Sequence, residues 1–270
     1  MFLVTLGDLL LDVIVHLGDP LAPGADASAT TKTGAGGQAA NVAAWAVALG
    51  VEARCVAKRG DDAAGRLVAA ELEERGVELA GQATGRTGVV VSLVGPDGER
   101  TMASDRGVAL ELEPDELDPA WFECDCLHIS GYALLGAPID AAALRATELA
   151  RASGARVSVD LSAWTQIRAY GPVQFREQLE ALGPDVIFAN EPEWEIVGAA
   201  YGLAPTAVVK RGARGVLVLG DERVELPPRA GDVVDATGAG DALAAGFLVG
   251  GPELAVEAAA RCVAKLGAMP

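Results

Sequence analysis

The chain has 270 residues, 51% of them apolar, and 21 Lys and Arg against 38 Asp and Glu give a net charge of −17. That is enough for one α/β core without staples, and the acidic surface excludes nucleic acid and anionic membranes as main partners, because both demand a basic face. Cys55, Cys124, Cys126 and Cys262 are too scattered for a disulfide framework, His16 and His128 too few for a His/Cys metal centre, and no leader or apolar run near membrane length occurs, so a cytoplasmic protein is expected.

The opening FLVTLGDLLLDVIVHLG reads as a buried strand interrupted at Gly7-Asp8, with a second strand-like run from Val13 to Leu17. A small, polar, Pro/Gly-punctuated stretch follows, in which the threonines of ASATTKT suggest an exposed strand. Ala39 to Leu49 reads as a helix with Trp45 on its buried side, VEARCVAKRG as a strand, and Ala63 to Arg75 as a helix. TGVVVSLVGPDGERTMAS carries a hairpin signal with a Pro96-Asp97-Gly98 turn. Then the alternation becomes regular: CLHIS, RVSVD, DVIFAN and TAVVKRG are strands. The helices between and beside them are Ile139 to Ser153, Val173 to Leu182 and Pro192 to Gly198. GVLVLGDERVELPP is a second hairpin, and helices Asp241 to Val249 and Glu253 to Leu266 close the chain.

Strands alternating with helices predict a parallel sheet covered on both faces. Segments 13–34 and 87–105 break that rhythm and are expected to form a small β appendage inserted in a single domain spanning 1–270. Val89, Val91 and Leu93 would give it one apolar face, too small to be stable alone. It must therefore cover a site or a second copy of itself.

The chemistry concentrates in Gly238-Ala239-Gly240-Asp241, just ahead of an apolar run. A helix starting there offers unpaired N–H groups and the positive end of its dipole, and glycine lets a ligand approach the backbone: an anion site. A carboxylate in such a place repels phosphate unless it has its own task, and accepting the proton of an attacking hydroxyl is that task. The plainer alternative makes Asp241 a helix cap and the glycines a turn.

The segment Asp235-Ala236-Thr237-Gly238-Ala239-Gly240-Asp241 resembles the second signature of the PfkB (ribokinase-like) carbohydrate kinase family, with the threonine one place later than in its commonest form. The resemblance implies Asp241 as catalytic base and Gly238, Ala239 and Gly240 as anion hole. It also places Thr237 with the ATP-binding residues, and puts Asp235 and Thr237 where many members hold a monovalent cation such as potassium. Further pieces follow in the family's order. Asp12 and the Gly36-Gly37-Gln38-Ala39-Ala40-Asn41 run match sugar-binding positions, so Asp12, Gly36, Gly37 and Asn41 are implied substrate ligands. Gly60-Asp61-Asp62 with Gly65 matches a family turn that is equally a simple helix cap. Asn190 and Glu193 match N-x-x-E, which arranges magnesium and phosphates through water, and Lys210, Gly212 and Gly215 match K-x-G-x-x-G beneath the nucleotide. Arg106 stands where it could reach a substrate carboxylate or phosphate, or lie solvated.

The resemblance implies a ribokinase-like three-layer α/β/α fold with a β-sheet lid. It implies ATP, magnesium, a sugar or nucleoside substrate (ribose, fructose-type, keto-deoxy sugar acid, or a nucleoside such as pseudouridine), and a homodimer through interlocked lids. The lid segments hold no aromatic residue, which disfavours a stacked purine. A non-catalytic sensor on the same fold is the alternative, and Asp241 speaks against it. A dehydrogenase is the other: Gly34-Ala35-Gly36-Gly37-Gln38-Ala39 fits G-x-G-x-x-A, with Glu52 as ribose acid, but no buried strand precedes it. No P-loop motif occurs.

Overall fold

A computed structural model describes residues 1–96, 100–199 and 202–270. Short strands that are mainly apolar can hide both faces only inside a sheet covered on each side. They do so here. Strands β1 (Phe2–Leu6), β4 (Glu52–Val56), β5 (Glu78–Ala80), β8 (Cys126–Ser130), β9 (Arg156–Asp160), β10 (Val186–Asn190) and β11 (Thr206–Lys210) run parallel. The antiparallel hairpin β12 (Val216–Leu219) and β13 (Arg223–Leu226) extends one edge, in the order β13-β12-β11-β10-β9-β8-β1-β4-β5.

One face packs against α1 (Gln38–Ala48), α2 (Ala63–Glu74), α7 (Ala239–Gly250) and α8 (Pro252–Val263), with Trp45, Phe188 and Leu243 in its core. The other packs against α3 (Ile139–Ala152), α4 (Trp164–Tyr170), α5 (Pro172–Leu182) and α6 (Glu191–Ile196), around Phe122, Ile129 and Phe175. Small residues let α7 pack closely: a Cβ on Gly246 would stand 2.6 Å from the Leu254 carbonyl oxygen of α8. The three layers are those of the expected fold class.

A second sheet, ordered β3-β2-β6-β7, is built from β2 (Leu10–Leu17), β3 (Ala29–Gly36), β6 (Thr87–Val94) and β7 (Arg100–Gly107). Its register places Leu11, Val13 and Val15 beside Val89, Val91 and Leu93 on one face. Leu10, Ile14, Val90 and Ser92 are buried on the other. The turn at Asp97-Gly98 lies outside the described residues.

Several boundaries differ from those the sequence suggests. β2 begins at Leu10 rather than Val13, so Asp12, beyond the first strand, lies inside the second. β3 runs on through Gly36, so the first glycine of the family run is strand, and Gly37 is the N-cap of α1. α4 and the three-residue β5 carry too little periodicity to be read, and α8 ends at Val263 instead of Leu266. The Gly60-Asp61-Asp62 turn is a cap. Asp62 Oδ1 accepts from Gly65 N at 2.8 Å and from Thr87 Oγ1 at 2.6 Å, pinning the root of the lid strand to α2.

Candidate active site

In open α/β sheets, ligands gather at the carboxyl ends of the strands. Here those ends present Lys210 from β11, Asn190 from β10, Asp160 from β9, Ser130 from β8 and, just beyond β1, Asp8. The N-termini of α1 and α7 close over this row, and the small sheet stands at its side.

Asp241 is the third residue of α7, whose N-cap is Gly238 with a left-handed φ of 74°. The capping alternative therefore fails: Asp241 caps nothing. Its Oδ2 accepts from Asn41 Nδ2 at 2.7 Å, across 200 positions of sequence. Burial, then the nearby Asp160 and Asp8 charges, push its carboxyl up to about 7, against the Asn41 bond and Lys210. A carboxyl held near neutrality has the proton affinity that a general base requires. The first-turn amides of α7 have no partner one turn back. Ala239 N makes only a long bond of 3.3 Å to the Ala236 carbonyl. Gly238 must lack a side chain, since a Cβ there would lie 2.4 Å from that of Ala268.

The expected substrate residues converge. Gly37, at φ 98°, passes so close to the Asp8 backbone that a Cβ would meet its carbonyl oxygen at 2.4 Å. Gly36 lies under the Asp12 carboxylate, 2.2 Å from where its own Cβ would be. Glycine at both places lets β3 turn into α1 between two aspartates. Asn41 gives its amide to Asp241, while its buried Oδ1 has no partner; a substrate hydroxyl is a fitting donor. Arg106 is not solvated: Nη1 donates to Asp8 Oδ2 at 2.7 Å and the guanidinium stacks 3.5 Å from the Tyr132 ring centre.

Asn190 and Glu193 form a capping box at the start of α6. Glu193 Oε1 accepts from Asn190 Nδ2 at 2.7 Å and Oε2 from Asn190 N at 2.8 Å. Burial pushes the Glu193 carboxyl up in pKa, and Lys210 opposes that. Lys210 Nζ reaches both Asp160 oxygens, at 2.7 and 2.8 Å. Gly212 and Gly215 form the turn into β12; a Cβ at Gly215 would stand 2.0 Å from the Leu226 carbonyl oxygen. Asp235 accepts from Thr237 N at 2.8 Å, Thr237 Oγ1 at 2.5 Å and Gly267 N at 3.0 Å.

Asp8, Ser130, Tyr132, Asp160 and Ser162 belong to the cleft and were not singled out from sequence. Ser130 Oγ donates to Asp8 Oδ1 at 3.1 Å. Ser162, at φ 71°, bonds to Gln38 and to the Asp160 carbonyl, joining α1 to β9. One signal was available: Asp8 and Asp160 are carboxylates at or just past the ends of apolar parallel strands.

The G-x-G-x-x-A stretch lacks the dinucleotide-binding context, because Gly34 to Gly36 end β3, an edge strand of the small sheet, rather than following a buried parallel strand. An α/β cleft with a small sheet at its side, a glycine-rich helix start and an adjacent carboxylate fits the class of small-molecule phosphotransferases. The chain belongs to the pfkB family of carbohydrate kinases, whose model matches residues 2–269. It is 35% identical over 261 residues to an ATP-dependent ribose-1-phosphate kinase of Halopiger xanaduensis, covering 90% of this chain and 83% of that protein. It is 30% identical to fructokinase-1 of Oryza sativa, covering 91% and 81%. Among solved structures, adenosine kinase from Sinorhizobium meliloti superposes with a TM-score of 0.86 at 24% identity, covering 99% of this chain and 95% of that one. A putative ribokinase II from E. coli in complex with ATP and Mg does so at 0.83 and 21%, covering 99% and 94%. At those identities the superpositions speak for the fold alone. The chain is an ATP-dependent sugar or nucleoside kinase.

Proposed function

We propose that the chain transfers the γ-phosphoryl group of ATP to the hydroxymethyl group of a furanose sugar, with Asp241 as the base. The observation that carries this reading is Asp241 itself: partly buried, oriented by Asn41 and set beside the first-turn amides of α7. The sugar oxygen attacks the γ-phosphorus, the bond to the β–γ bridging oxygen breaks, ADP takes that electron pair, and the hydroxyl proton passes to Asp241. Gly238, Ala239 and Gly240 amides receive the equatorial oxygens. Asp12 and Asn41 hold sugar hydroxyls, so part of the acceleration is positioning. A sugar is favoured over a nucleoside because the lid lacks aromatic residues for base stacking. Arg106 borders the sugar site and donates to a hydroxyl or to an anionic substituent of the kind ribose-1-phosphate carries. A panel of ribose, ribose-1-phosphate, fructose, sugar acids and nucleosides with coupled ADP detection tests this; no turnover with any of them would refute it.

The nucleotide lies along the C-terminal half, with Thr237, Lys210 and the Gly212 and Gly215 turn beneath it. Magnesium suits the residues present. Among the described residues no cluster of three His, Cys, Asp or Glu side chains is arranged to hold a metal, so the ion must rest largely on phosphate oxygens and water, as magnesium does. Glu193 and Asn190 would order that water, and the ion, when bound, neutralises phosphate charge. Glu193→Gln is expected to raise the magnesium concentration for half-maximal rate about tenfold; an unchanged magnesium titration would remove Glu193 from this role. A monovalent cation at Asp235 has weaker support, since both carboxylate oxygens already accept hydrogen bonds. Potassium is accordingly expected to alter the rate less than magnesium does.

The lid is proposed to join two copies. Its outer face carries half-buried Val13, Val15, Val91 and Leu93 in one patch, which a second copy would cover. Val91→Asp is expected to shift the sedimentation profile toward monomer and to lower sugar-dependent turnover with it. A parent enzyme that sediments as an active monomer at every concentration contradicts the dimer. No helix among the described residues is long and apolar enough to cross a membrane. With its four free thiols, the protein is assigned to the cytoplasm as part of this reading.

A further inference from the structure

Lys210 sits in an unusual position for a residue that merely underlies a nucleotide. It ends β11, and its ammonium lies against α7, 3.2 Å from the point where a Cβ on Gly240 would be. It makes a two-pronged ion pair with Asp160, whose carboxylate is fully buried. Burial works against the Lys210 charge, but Asp160 and then Glu193 more than compensate and hold it above the ordinary lysine range. The ammonium thus stays charged, next to the central residue of the anion-binding turn, and shared by Asp160, Glu193 and Asp241.

A buried lysine–carboxylate pair gains little net stability, because desolvation offsets the attraction. What it does supply is a cation held largely out of water at a defined place. Resting on the kinase reading above, we infer that Lys210 is a catalytic residue that leaves Asp160 to contact the γ-phosphate, and that Asp160 is its positioning residue. Before nucleotide arrives, Asp160 holds the ammonium away from Asp241, which would otherwise pair with it and be lost as a base. When nucleotide binds, the γ-phosphate offers the ammonium more negative charge than Asp160 does, and Nζ moves to it still protonated. No covalent bond changes in this exchange. The lysine then travels with the phosphoryl group as negative charge shifts toward ADP and the sugar oxygen.

The distinguishing feature is selectivity for the third phosphate. Binding of AMP-PNP and of ADP, each with magnesium, is measured by titration calorimetry on the full chain. Lys210→Met is expected to weaken AMP-PNP by about 10–100-fold and ADP by less than about threefold, the size of one lost charge-assisted bond. An AMP-PNP loss below about tenfold, or an equal loss for both nucleotides, overturns the inference. Asp160→Asn supplies the opposite sign and serves if Lys210→Met does not fold, as judged by its melting curve. Relieved of its competitor, Lys210 should bind AMP-PNP as well as in the parent or more tightly, relative to ADP. A selective loss of AMP-PNP in Asp160→Asn also overturns the inference. A parent that binds neither nucleotide would instead strike the kinase reading, and this inference with it.

Discussion

Asp241→Asn is expected to cut turnover by about 10²–10⁴-fold while ATP binding stays within a few-fold of the parent. The substitution is nearly isosteric, so the Asn41 contact and the α7 turn survive, and only the ability to take a proton is lost. Turnover close to the parent's, with binding intact, would leave Asp241 without a catalytic role. The same substitution should change stability with a characteristic pH dependence. Burial raises the Asp241 pKa in the folded chain from 3.8 to about 7. A raised folded value favours the folded state at low pH, and that contribution disappears as pH climbs through about 7. The ionised carboxylate is then a cost that asparagine does not carry. Asp241→Asn should therefore melt several degrees above the parent at pH 8, and the gap should close as pH falls to about 4. Such a trade of stability for function is common where a charge is held out of water.

Gly238→Ala is expected to cost nearly as much activity, through geometry instead of chemistry. The residue is left-handed at φ 74°, which an L side chain adopts at a cost of order 1–3 kcal/mol. Its new Cβ would also lie 2.6 Å from the Cα of Ala268, a backbone atom that cannot swing aside. Either the tail after α8 shifts or the first turn of α7 does. A displaced turn misaims the amides that receive the γ-phosphate, and losing one such donor is worth about 10²–10³-fold in rate. The expected result is a fall of that order, with a lowered melting temperature. Parent-like kinetics would show that the amides of this turn do not receive the phosphoryl group.

Much of this cleft was legible in the sequence. The small-residue run into α7, the paired glycines ahead of α1 and the strand–helix rhythm after Cys126 are patterns in which each residue type has a local reason, and they fixed the layers and the two helix ends. What stayed hidden depends on long-range pairing. Asp8 looks like turn punctuation after β1 until Arg106 and Ser130 arrive, 98 and 122 positions later. Asp160 closes an unremarkable strand until Lys210 meets it from 50 positions away. Asn190 and Glu193 were readable by spacing, and the capping box explains why: i and i+3 face each other at a helix start whether or not a metal is near. Short elements were lost for the converse reason, since β5, with three residues, has no period to detect.

Phosphoryl transfer should depend on Asp241 being unprotonated. That dependence is tested most directly by the pH dependence of kcat/KM in the parent enzyme, measured by coupled ADP release with the best sugar of the panel under saturating Mg-ATP. The expected profile is a plateau above about pH 7 and a tenfold fall per unit below it, set by a carboxyl with a folded pKa of about 7. A profile that runs flat through neutrality down to about pH 5, or rises as the solution is acidified, would contradict it.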